Sequence, residues 1–207
     1  MLVGNLSPSY IIVLFVTLVI SMVIHEFMHG YVAFKLGDTT AMEQGRLTFN
    51  PLDHIDPFMT IVLPAITLFI FQTPILAAKP VPFNPSRLKF DDYGAALVAA
   101  AGPVSNLLLA IVAVLLLKLT LTDSFVAQAL AEFAELNVLL FVFNLVPIPP
   151  LDGSRIVYAF APDSVRQLFD QVEPFGLFVI FALVLAHGFN ALLNVDQMIL
   201  SFLNFLP

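Results

Sequence analysis

"GAALVAAAGPVSNLLLAIVAVLLL", residues 94–117, contains no ionisable side chain. A helix needs about 20 residues to cross a hydrocarbon core of about 30 Å, so this run is a membrane span. Further uncharged runs occupy residues 8–24, 57–78, 136–151 and 174–186. The first becomes a span if its helix continues through the histidines that follow it. Composition agrees: 59% of the 207 residues are hydrophobic and 11% charged, against about 45–50% and about 25% in soluble domains. The expectation is an all-α polytopic membrane protein, one unit over residues 1–207, with about 5–6 transmembrane or re-entrant segments.

Other gross features exclude classes. The absence of cysteine removes disulfide and thiolate chemistry. A net charge of -7 argues against nucleic-acid binding, which wants a basic stripe. The first apolar run lacks a basic n-region and a small-residue cleavage site, so it is taken as mature structure.

Chemistry concentrates in "VIHEFMHG", residues 23–30. On a helix, His25 and His29 stand four residues apart on one face, and both imidazoles can reach one metal ion. In such an HExxH site Glu26 would be the base that takes a proton from a zinc-activated water. Ionisable residues in a span mark function by default, because hydrocarbon penalises them heavily. Catalytic zinc normally takes three protein ligands. Asp152, in "FNLVPIPPLDGSR" at residues 143–155, is the suggestive third: Pro147, Pro149 and Pro150 hold the chain extended and Gly153 allows a turn. An exposed turn remains the alternative for this LDG sequence.

HEFMH together with "NLVPIPPLDG" and with "GPVSN" at 102–106 resembles the site-2 protease family of intramembrane zinc metalloproteases, peptidase family M50. The segments "GRLTFNPLDHIDP" and "KPVPFNP" are similar to those of compact bacterial and archaeal members without PDZ or CBS domains. The resemblance implies one Zn2+ per chain held by His25, His29 and Asp152, Glu26 as catalytic base, and Asn106 and Asn144 supporting the substrate or the oxyanion. Independently, neutral amide donors can stabilise a developing oxyanion, and either asparagine can equally serve helix packing. Implied partners are transmembrane protein or peptide substrates and membrane lipid; homo-oligomerisation is left open. A catalytically inactive zinc-binding scaffold and, further off, a metal-ion transporter are the rival classes.

For the site to meet at one depth, the chain must cross an even number of times between His29 and Gly102. Basic residues set the orientation: Lys35, Arg46, Lys79, Arg87, Lys89, Arg155 and Arg166 fall on the site face and Lys118 opposite, which makes the site face cytoplasmic, in a prokaryotic cell membrane by the resemblance. Residues 45–57 read as a short β-hairpin near the active site, with "RLTF" alternating before the Asn50–Pro51 breaker. Its edge could receive an extended substrate.

Overall fold

The computed structural model describes residues 8–56, 62, 79–120, 124–185 and 190–204. Three helices are long and apolar enough to cross a membrane: α1 (Pro8–Lys35), α3 (Asp91–Leu117) and α4 (Phe125–Asn144). A short α2 (Thr40–Glu43) follows α1. Beyond α4 come α5 (Asp152–Phe160), α6 (Asp163–Val172), α7 (Gly176–Leu185) and α8 (Asn190–Asn204). At about 1.5 Å per residue these last four fall short of a membrane crossing. Among the described residues there are thus three candidate spans, fewer than the expected segments. The apolar run 57–78 lies outside the described residues apart from residue 62.

α1 does continue through the histidines. It ends where Gly37 takes a left-handed φ of 108°, with Asp38 N–H donating to Ala33 O at 3.0 Å and Gly37 N–H to Phe34 O at 3.1 Å. This pair of bonds satisfies the last carbonyls of the helix and lets only glycine sit comfortably at the turn. α3 begins at Asp91, three residues earlier than the uncharged run, so Gly102 and Pro103 lie inside the helix and not in its first turn. Pro103 has no N–H to offer the preceding turn, which loosens the helix there. α4 is capped by Ser124, whose Oγ accepts from Ala127 N–H at 3.1 Å.

The bundle packs through small residues. Ala110, Ala113 and Val114 of α3 meet Ala134, Val138 and Val142 of α4 and Leu203 of α8, since small side chains let helix backbones approach. Large apolar residues such as Ile12, Phe15, Leu108 and Val112 point outward instead, as lipid-facing positions should.

The expected β-hairpin is not there: no strand occurs among the described residues, and 46–50 is irregular, leading into a 3-10 turn over Pro51–His54. Local side-chain bonds win over pairing. Asn50 N–H donates to Thr48 Oγ at 3.1 Å, Leu52 N–H to Asn50 Oδ1 at 3.2 Å, and His54 Nε2 bonds Thr48 O at 2.9 Å. Phe49 stacks on Phe27 of α1 with ring centroids 4.0 Å apart. Beyond this turn, Lys79 N–H donates to His54 O at 3.1 Å and Lys89 N–H to Leu36 O, just past α1, at 2.8 Å.

Candidate metal centre

His25 and His29 sit about 15 Å and about 9 Å of helix rise before Lys35, within the span and not at its end. Their exposure is only 9% and 8%. The two rings meet edge to face at 81°, with Nε2 atoms 2.9 Å apart. Asp152 Oδ2 lies 3.2 Å from the first and 3.4 Å from the second. The ligand atoms of the three residues are all within 4.8 Å of one another.

The outer nitrogens decide what this cluster wants. His29 Nδ1 is 2.7 Å from Val98 O, a backbone carbonyl that can only accept, so Nδ1 carries the hydrogen and the neutral ring keeps its Nε2 lone pair. His25 Nδ1 is 2.6 Å from Asn106 Oδ1, with the same consequence. Asp152 Oδ2 is buried and makes no hydrogen bond of good geometry. Three lone pairs therefore converge on one point. A proton can bridge only two of them, whereas a divalent cation satisfies all three. Tetrahedral zinc ligands at about 2.0–2.1 Å stand roughly 3.3 Å apart, close to the spacing observed. The donor set fits zinc.

Asp152 reaches the site from irregular chain. Leu145–Pro150 is not extended, as the prolines suggest, but a series of tight turns. Its available amides bond backward, Val146 N–H to Phe143 O at 3.2 Å, Ile148 N–H to Val146 O at 2.8 Å and Leu151 N–H to Ile148 O at 2.9 Å. Prolines lack donors, so the remaining N–H groups close turns. Asp152 then opens α5. Gly153 is required by contact: a Cβ there would lie 2.2 Å from Leu145 O. Gly102 has the same character, since its Cβ would fall 2.4 Å from His29 Nε2 and 2.5 Å from His25 Nε2. Only a bare backbone lets α3 pass the metal group.

Glu26 lies beside the three candidate ligands, 9% exposed, and its Oε2 accepts from Val81 N–H at 2.9 Å. Val81 sits between Pro80 and Pro82 in a strap, residues 79–84. The strap is tied down by Arg46, which donates to Lys79 O at 2.6 Å, and by Asp38 Oδ2, which accepts from Asn84 N–H at 2.6 Å. Sequence reasoning missed Val81 and Val98, because each acts through its backbone and any side chain would serve. The two asparagines part company. Asn106 is fully buried with its carbonyl on His25 and its amide donating to Asn137 Oδ1 at 2.9 Å and pointing at Ser21 O at 3.5 Å. No hydrogen is left for an oxyanion. Asn144 donates to Leu140 O at 2.9 Å within its own helix.

Residues 120–187, which include Asp152, match the model of "Peptidase family M50". The protein named "Putative zinc metalloprotease YwhC" of Bacillus subtilis (strain 168) is 41% identical over 181 residues, spanning 82% of this chain and 78% of the relative. "Putative zinc metalloprotease Rip2" of Mycolicibacterium smegmatis is 28% identical over 82% of this chain and 65% of its own length. "Putative zinc metalloprotease MJ0611" of Methanocaldococcus jannaschii is 27% identical over 72% and 73% respectively. No solved structure matches. The similarity to the Bacillus protein runs over most of both chains, and the donor set found on the bundle is one that zinc takes: the chain belongs to peptidase family M50, and it is a membrane protein.

Proposed function

We propose that this protein is a zinc-dependent intramembrane endopeptidase that hydrolyses a peptide bond in or near the transmembrane segment of membrane-protein substrates. The observation that carries the proposal is the convergence of the His25, His29 and Asp152 lone pairs beside Glu26, inside a membrane span. Bound zinc would supply a Lewis acid that makes water nucleophilic near neutral pH and polarises the scissile carbonyl. His25, His29 and Asp152 hold it. Glu26 is the general base. The Val81 amide occupies Oε2 and leaves Oε1 to take a proton from water and deliver it to the leaving amine. Asn106 acts through His25, while Asn144 spends one amide hydrogen on Leu140 O and keeps a second that could serve an oxyanion.

Bacterial and archaeal relatives favour a prokaryotic cell membrane, and the placement of basic residues supports a multi-pass protein with its site towards the cytoplasm. Lys35, Arg46, Lys79, Arg87 and Lys89 occupy the α1 C-terminal end. Arg166 joins them through Asp92 of α3 at 2.7 Å, and Lys118 caps the far end of α3. That asymmetry favours a cytoplasmic site face.

The test uses the full chain in detergent or proteoliposomes. Zinc per chain is measured together with cleavage of a peptide carrying a transmembrane segment. The parent should hold about one zinc and cleave; Glu26→Gln should keep the zinc and lose about 10²–10⁴-fold or more of the rate. A parent that holds no zinc after reloading sinks the proposal.

A further inference from the structure

His25 and His29 look equivalent as ligands but are oriented by different means. His29 is aimed by a backbone carbonyl, which cannot reverse. His25 is aimed by the side chain of Asn106, and an amide can flip, presenting NH2 where oxygen stood. A flipped Asn106 would donate to His25 Nδ1, move the ring hydrogen to Nε2 and remove the lone pair facing the metal group. Something must prevent that.

The next links of the hydrogen-bond chain supply the answer. Asn106 Nδ2 donates to Asn137 Oδ1 at 2.9 Å. Asn137 Nδ2 in turn donates to Ser21 Oγ at 2.8 Å and to Phe133 O at 2.8 Å. A serine hydroxyl donates or accepts equally well and imposes no direction. Phe133 O is a carbonyl and can only accept. It fixes Asn137 with Nδ2 towards Phe133 and Oδ1 towards Asn106, and this 2.9 Å link, with only a long 3.5 Å approach of Asn106 Nδ2 to Ser21 O beside it, fixes Asn106 with Oδ1 towards His25. Ser21, Asn106 and Asn137 are all fully buried, where α1, α3 and α4 meet, so water cannot take over a broken link.

We infer that Asn137 is a positioning residue for the metal site: anchored on Phe133 O, it sets the amide direction of Asn106 and so keeps His25 in the tautomer whose Nε2 faces the metal. This rests on the metal-site reading of His25 proposed above, and is testable apart from it.

Two readouts decide it. The first is the histidine 15N spectrum of metal-free protein in detergent, above the histidine titration range, which reports the tautomer of each ring. The second is the zinc dissociation constant by chelator competition. In the parent, both rings should carry hydrogen on Nδ1. In Asn137→Leu, His25 should shift towards the Nε2–H form while His29, held by Val98 O, stays unchanged; zinc binding should weaken about 10–100-fold, the usual cost of losing an outer-shell partner. Ser21→Ala removes an acceptor that sets no direction and should stay within about threefold. An Nε2–H form of His25 in the parent overturns the inference without any variant. So does an unchanged His25 tautomer, or zinc binding within twofold of the parent, in Asn137→Leu. A parent with the expected tautomers but no zinc affinity leaves the positioning intact and refutes the protease proposal instead.

Discussion

The candidate metal site is assembled from two unlike regions. α1 supplies His25, Glu26 and His29 from an unbroken helix, whose spacing alone puts the two rings together. The Leu145–Gly153 segment supplies Asp152 from proline-punctuated turns whose shape depends on each backbone bond. A regular element delivers ligands by periodicity and survives local change; an irregular one delivers a ligand only while its close contacts hold. Substitutions in the two regions should therefore fail differently.

The sharpest division comes from the ligands. His29→Ala and Asp152→Ala should each weaken zinc binding by more than the ~10–100-fold of an outer-shell loss, read by metal content after dialysis against a chelator. Full zinc retention in Asp152→Ala would show that the α1 half binds alone and would dissolve the comparison.

Next come the two glycines that press on each region. Gly102→Ala drives a methyl into His25 and His29, and rings can swing aside where backbone cannot. Zinc should be lost with little change in unfolding temperature. Gly153→Ala meets Leu145 O instead and has to move backbone, so it should cost about 1–3 kcal/mol of stability and take Asp152 out of place with it. Equal stability losses in the two variants, measured by thermal unfolding in one detergent, would erase the distinction.

The smallest effect concerns the strap that braces Glu26. Burial alone would raise the Asp38 carboxyl. Bonds from Thr40 Oγ at 2.5 Å, Asn84 N–H at 2.6 Å and Thr40 N–H at 3.0 Å outweigh that, and Arg87 helps, leaving it below its ordinary value. A carboxylate depressed on folding stabilises the protein above its unfolded value of about 3.9 and loses that contribution as pH falls towards its folded value. Asp38→Asn should thus cost about 1 kcal/mol near neutral pH, with the gap to the parent shrinking below about pH 4. A gap that is constant with pH would assign Asp38 a role independent of its charge.

What the sequence disclosed follows the same division. His25, Glu26 and His29 are local at helical spacing, and the span around Gly102 is an uninterrupted apolar run, so both were legible without a structure. Asp152 was legible as a carboxylate in a suggestive place, and its expected role as a ligand came from a resemblance. The turned path that presents it was hidden because proline limits a residue's own backbone without saying where its neighbours bond. The hairpin expected over residues 45–57 rested on alternation in four residues, a pattern too short to outweigh the capping bonds of Thr48 and Asn50. Partners of the site residues stand 81, 69 and 55 positions away in Asn106, Val98 and Val81. Two of those three act through backbone atoms, on which side-chain identity is silent.

One pattern along α1 reaches beyond catalysis. Thr17, Ser21, His25, His29 and Ala33 are all buried, while Ile12, Phe15, Val16 and Ile20 face outward. The helix is polar inside and oily outside, so water aversion cannot tell it which way to turn: lipid would accept its outer face against any neighbour. Rotation by one residue, about 100°, would swing imidazoles into hydrocarbon and strand the amides of Asn106 and Asn137. The rotational setting of α1 is therefore locked by polar groups that have nowhere else to go, and the features that build the site also tell the first helix how to dock.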